Sequence, residues 1–161
     1  MAFSLLGITS GVYLIREVNL NPLELVLVGT ALEASVLVFE IPTGVVADSF
    51  SRRRSVIIGF FFTGVGFIVW GAFPYFETIL IANVIWGLGH TFTSGAWQAW
   101  ITDEIGEDAA GPVFMKATQL RMILALMAIP FAIAAALVSL SLPFFLGGGV
   151  HIALALFLLV S

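Results

Sequence analysis

The sequence predicts an all-α membrane protein with six transmembrane helices. Three observations carry that reading. Hydrophobic residues make up 60% of the 161 and charged residues only 10%, with a mean hydropathy of +1.12, whereas soluble domains run at about 45–50% apolar and about 25% charged. The apolar residues fall into six runs separated by charges or proline, and the cations gather on alternate breaks. So apolar a chain cannot cover its own surface with polar groups in water, which excludes an ordinary soluble enzyme and a disordered protein. Six Lys and Arg against ten Asp and Glu give a net charge of −4, with three of the cations adjacent. No basic surface is left for nucleic acid. There is no Cys, so disulfides, thiolate metal sites and Cys nucleophiles are absent, and neither a cofactor nor a metal is expected.

A helix needs about 20 apolar residues to cross a bilayer. The first run, Ala2–Ile15, ends at Arg16 and Glu17. At about 1.5 Å per residue it is short, and it reads as the end of a helix that starts earlier. The second, Leu23–Ala47, is closed by Asp48. The third, Ser55–Phe73, stops at Pro74. The fourth, Thr78–Thr102, ends at Asp103 and Glu104. The fifth is Ala117–Leu140, and the sixth, Leu142–Val160, has no polar flank beyond it. No signal peptide follows Met1. Residues 1–161 read as one transmembrane bundle. Arg52, Arg53, Arg54, Lys116 and Arg121 lie in or just past the breaks after spans two and four, and Arg16 alone lies on the other side. The positive-inside rule makes those two loops cytoplasmic. Most loops are short. The stretch Asp103–Lys116 is longer and has room for a short surface helix.

Polar residues within such runs point to function, since a lipid-facing helix can be uniformly apolar. In span four, Asn83, Gly87, His90, Ser94 and Gln98 are spaced 4, 3, 4 and 4, which places them on one face of one helix. With Trp97 beside them, they are expected to line a water-filled substrate cavity. The alternative is interhelical hydrogen bonding, at about 0.6 kcal/mol per pair. Aromatic residues around span four (Trp86, Phe92, Trp97 and Trp100) suit an amphipathic small organic molecule. In span two, Glu33 and Glu40 are seven apart. A charged carboxylate at mid-membrane costs about 2.5–3.5 kcal/mol, so both are candidates for proton coupling, although Glu40, just before Pro42, could instead anchor a kink. Spans three and six, with only Thr63 and His151 as polar landmarks, read as outer helices. Span five carries Ala125, Ala128, Ala132 and Ala136 at helical spacing, a close-packing face, and Pro130 as a kink.

The charges at one end conflict with the helix dipoles. Asp48 and Asp103 end helices, and Arg52, Arg53 and Arg54 begin one; each placement is unfavourable by itself. An ion-pair network among them resolves the conflict and would form a cytoplasmic gate, the alternative being a plain topogenic anchor.

Here a family resemblance becomes specific. The run Gly44-Val45-Val46-Ala47-Asp48-Ser49-Phe50-Ser51-Arg52-Arg53-Arg54 resembles the G-x-x-x-D-R-x-G-R-R loop signature of the major facilitator superfamily, which lies between that family's second and third helices. Gly44, Asp48, Arg52 and Arg53 match, while Ser49 stands for the usual Arg and Ser51 for the usual Gly. Asn83-Val84-Ile85-Trp86-Gly87-Leu88-Gly89 is similar to the family's R-x-x-x-G-x-G, with Asn83 where an Arg linked to proton transfer is common. The stretches Glu40–Gly44 and Ser94–Trp100 resemble a bacterial, drug-efflux-like branch. The resemblance implies two three-helix inverted repeats forming one bundle of a two-bundle fold, with substrate at midplane between bundles. It implies that Gly44 makes a close contact with the other half and that Asp48 steadies the outward-facing state.

The resulting expectation is the N-terminal half of a secondary transporter in the bacterial cytoplasmic membrane. It would move a small organic molecule by alternating access, with proton-coupled efflux as its finer form and a missing C-terminal six-helix bundle as its partner. Two alternatives are a homodimerising half-transporter and a non-transporting half. An intramembrane enzyme built on Ser94 and His151 is not expected, since His151 lies in a span read as outer and no Asp-rich metal motif is present.

Overall fold

The computed structural model describes Ala2–Ser161, with side chains from Thr9 onward. The described chain forms α1 (Ala2–Arg16), α2 (Pro22–Ser49), α3 (Arg52–Ala72), α4 (Phe76–Thr93), α5 (Ala96–Ile105), α6 (Glu107–Val138) and α7 (Leu142–Val160). Among them α2, α3, α6 and α7 are long and apolar enough to cross a membrane. Local chemistry sets the helix ends. Asn21 caps α2: its side-chain oxygen accepts from the Glu24 N–H (3.0 Å), and its own N–H donates to Glu24 Oε2 (2.8 Å). That reciprocal pair satisfies two donors that a helix start leaves open. Ser51 caps α3, accepting from the Arg54 N–H at 3.3 Å, so the Ser that stands where the family signature has Gly serves as an N-cap.

Two expectations about continuity are corrected. Span four is not one helix. Gly95, with φ +73°, separates α4 from α5, a conformation open to Gly at no steric cost. Upstream of the break, the Thr93 hydroxyl donates to the His90 carbonyl (2.8 Å) and the Ser94 N–H to the same oxygen (2.9 Å). The stretch Asp103–Lys116 is not a loop either. It narrows to Gly106, at φ +82°, and α6 begins at Glu107. Glu107 and Asp108 occupy its first turn, where acids suit the positive end of the helix dipole.

α3 packs against both α4 and α7; α2 lies on α4, and α1 lies on α6 and α7. This neighbour pattern is unchanged when α1–α3 are exchanged with the segment α4–α7, counting α4 and α5 as one broken unit. Close approach along α3 depends on small residues. A Cβ on Gly64 would come within 2.9 Å of the Gly148 carbonyl on α7, and one on Gly148 within 2.8 Å of the Gly64 carbonyl. On the other side, a Cβ on Gly59 would lie 2.7 Å from the Gly89 carbonyl of α4. Spans three and six, expected as outer helices, pack against each other; α3 is the most buried of the four long apolar helices, while α7 keeps a broad exposed apolar face. Uniform apolarity does not separate a lipid-facing helix from one buried among other helices; the glycines do. On α6, Ala128 and Ala132 are buried, as a small-residue packing face requires.

An aromatic cluster fills the end of the bundle away from Arg52. The Tyr13 hydroxyl donates to the Trp70 carbonyl at 2.8 Å. Trp70 stacks on Phe144 with centroids 5.3 Å apart, and Phe67 meets Trp86 at 5.1 Å. These contacts tie α1, α3, α4 and α7 together. Replacing Gly148 by Leu is expected to destabilise the bundle by about 1–3 kcal/mol, the usual cost of overpacking. Gly149→Leu, whose Cβ meets nothing within 4 Å, should be near neutral. Thermal unfolding in detergent micelles checks this, and equal midpoints for the two variants would refute the α3–α7 contact.

Candidate functional site

The polar residues of span four fall into four settings. Asn83 is 1% exposed, and its Nδ2–H donates to the Val28 carbonyl of α2 at 3.2 Å. One turn on, a Cβ added to Gly87 would come 2.7 Å from Ser35 Cβ. This part of the stripe is helix–helix contact, so the expectation that Asn83 faces a cavity is corrected. The stripe's i, i+4 spacing is the same for a buried seam as for a wet face, so periodicity alone could not tell them apart. His90 opens outward. With Trp86 it faces Leu32, Glu33 and Val36 of α2 across a cavity of about 150 Å³. Glu33 and His90, from different helices, are thus brought to one site. Ser94 sits exposed at the break. Trp97 and Gln98 belong to α5 and, with Ala117, Thr118 and Arg121 of α6, line a second cavity of about 140 Å³. The continuous stripe through Ser94 and Gln98 is therefore corrected to two cavities on either side of Gly95.

Glu40 is exposed on α2, with no ion pair among the described residues. Beside it, the Thr43 hydroxyl donates to the Phe39 carbonyl at 2.8 Å, next to the place where Pro42 removes a backbone donor. Gly44 is also exposed, and a Cβ there would meet nothing within 4 Å. Leu37, Ile41 and Val45 share this open side of the helix.

At the other charge cluster, Arg52 Nη1 donates to both Asp103 oxygens, at 2.8 and 2.7 Å, and Arg52 Nε lies 3.8 Å from Asp48 Oδ1. One guanidinium thus joins the α2–α3 turn to the end of α5. Arg53 acts elsewhere: its Nη2 donates to the Leu158 carbonyl at 2.6 Å, near the C-terminal end of α7, where a cation complements the dipole. Sequence reasoning missed that contact because it joins residues 105 positions apart. It also counted Arg121 only as a topogenic charge. Ser94 and His151 are not brought together. His151 Nδ1 lies 2.8 Å from the Gly147 carbonyl, and its ring packs on Phe60 and Phe67. Among the described residues, no three His, Asp or Glu side chains converge as a metal site.

Both carboxyl and guanidinium in the Arg52–Asp103 pair are substantially exposed, so a double-mutant cycle of Arg52→Gln and Asp103→Asn is expected to give a coupling of about 0.5 kcal/mol. It should vanish near ~1 M salt, where the Debye length is about 3 Å. A coupling of several kcal/mol that ignores salt would mean the pair is a fixed strut.

Comparison with known proteins agrees with this architecture. A family model described as "Transmembrane secretion effector" matches residues 7–146. Over 120 residues the chain is 32% identical to the "Uncharacterized MFS-type transporter YxaM" of Bacillus subtilis (strain 168), a match covering 71% of this chain and 29% of that protein. The matched region thus spans less than a third of that relative's length. With most of its length inside the family match and its helices multi-pass in character, this chain belongs to the major facilitator superfamily of membrane transporters.

Proposed function

We propose that the chain is the N-terminal six-helix bundle of a secondary active transporter that moves a small organic molecule across the bacterial cytoplasmic membrane by alternating access. In this reading α4 and α5 together make the fourth span, broken at Gly95, and a second six-helix bundle completes the transporter. The observation that carries it is the cavity shared by Glu33 and His90. Ionisable groups are kept within membrane helices only where they face a bundle interior or a water path. The open side of α2, with Leu37, Ile41 and Gly44, and the exposed Leu126, Phe131 and Leu137 of α6 offer surface for the second bundle.

The finer mechanism follows from where the charges lie. Glu33 takes up and releases a proton beside the substrate, and His90 supplies a second polar contact across the cavity. Proton entry then drives efflux. The Arg52–Asp103 pair is the gate at the cytoplasmic end. An exposed pair worth no more than about 1 kcal/mol can open without trapping the protein in one state. Asp48, at 3.8 Å, is a second acceptor for Arg52 when Asp103 moves away.

Uptake of fluorescent amphipathic compounds by everted membrane vesicles tests the proposal. Transport is expected only when a second bundle is co-expressed with this chain, and Glu33→Gln should reduce it at least about tenfold, the loss typical of a proton-transfer group. Full-rate uptake by the monomeric chain alone would overturn the half-transporter reading. An unaffected Glu33→Gln variant would overturn the coupling role.

A further inference from the structure

We infer that the cavity between α5 and α6 is a subsite for the carboxylate of a flat, apolar organic anion, with Arg121 as its counter-ion. The inference rests on the transporter reading for the identity of that anion as cargo.

The argument starts from charge that is not balanced. Arg121 lies about one turn inside the apolar run that begins at Ala117, and a guanidinium cannot shed its proton. The acids that could neutralise it are occupied or distant. Asp103 is held by Arg52 at 2.7 Å, and Glu104 accepts from the Trp100 indole N–H at 3.0 Å. Glu107 and Asp108 lie in the first turn of α6, about 20 Å along the helix from Arg121 at about 1.5 Å per residue. Arg121 makes no ion pair among the described residues. Arg121 is exposed at this cavity, so its guanidinium is open to an anion that enters there.

The rest of the lining fits a carboxylate on a planar body. Thr118 and Arg121 are three apart on α6 and line the same cavity, which Gln98 joins from α5. The hydroxyl and the amide add neutral donors beside the guanidinium fork, which matches a carboxylate in two parallel hydrogen bonds. Ala117 is small and leaves room. Trp97 supplies a flat wall, and Phe114 packs edge-on against it with centroids 5.5 Å apart and rings at 82°, so the indole is held in place before a ligand arrives. The first cavity, with Glu33, carries the opposite sign. The two sites therefore select different charges, and Gly95 lies between the helices that carry them.

The test is binding to the purified chain in nanodiscs of zwitterionic lipid, read by tryptophan fluorescence, with 2-naphthoate and its neutral amide as probes. The carboxylate is expected to bind at least about tenfold more tightly than the amide, the scale of a hydrogen-bonded charge. Arg121→Gln should abolish that preference, and Arg121→Lys should retain part of it. Gln98→Glu, which places an internal carboxylate in the cavity, should abolish it without removing the cation, and so serves if Arg121→Gln does not fold. Equal binding of amide and carboxylate, or a preference that survives both substitutions, overturns the inference. Repeating the titration with about 30% anionic lipid separates the two sources of an anion. Unchanged affinity supports a soluble ligand. A tenfold loss, with anionic lipid retained by the wild type and not by Arg121→Gln, assigns the cavity to a lipid head group and overturns the cargo reading. Because the assay reads binding, a chain that never transports can still show the preference, and a transporter lacking it sinks this inference alone.

Discussion

Everything in the bundle hangs on how closely α3 approaches its two neighbours. In lipid there is no hydrophobic force between helices, so association depends on packing at short range. Gly59 against Gly89 and Gly64 against Gly148 bring backbone to within contact of backbone on both sides of α3. With α4 and α7 fixed to α3, the aromatic cluster of Tyr13, Phe67, Trp70 and Phe144 closes the bundle at one end, and Arg53 ties α7 to the start of α3 at the other. α2 then seats on α4 through Asn83 and Gly87, which positions Glu33 opposite His90.

The polar groups divide according to this scaffold. Those that meet another helix are spent on structure: Asn83 bonds the Val28 carbonyl, and the Thr91 hydroxyl turns back to the Leu88 carbonyl at 2.9 Å. Those past the helix contacts face cavities. The break at Gly95 separates an acidic cavity from a basic one, an arrangement that one straight helix would not give. The shortest ion pair among the described residues, Arg52–Asp103, lies outside both cavities and is exposed to solvent. That suits the proposed gate, in which this contact is made and broken.

Much of this was legible in the sequence. The long apolar spans and their turns follow from runs bounded by Arg16, Asp48, Pro74 and Ser139, because length and hydropathy are summed over many residues. The pairing of Arg52 with Asp103 follows from charges placed against their helix dipoles. What escaped was contingent on three-dimensional approach. The helix break at Gly95 leaves hydrophobic spacing intact on both sides, so periodicity carries no trace of it. The burial of Asn83 depends on Val28 and Ser35, which come from another helix. The central place of α3 was written in Gly59, Gly64 and Gly66, but apolarity spoke louder than residue size. Arg121 gained meaning only when α5 brought Gln98 and Trp97 over it.

The central claim is that a water-filled passage in the bilayer reaches His90 and Gln98 but not Asn83. The chain has no native Cys, so single replacements by Cys at these three positions, in membranes containing the complete assembly, can be probed with a membrane-impermeant thiol reagent. The account predicts that His90→Cys and Gln98→Cys are modified, that substrate slows the reaction, and that Asn83→Cys stays protected. Protection of all three in every condition, or equal labelling of all three, would contradict it.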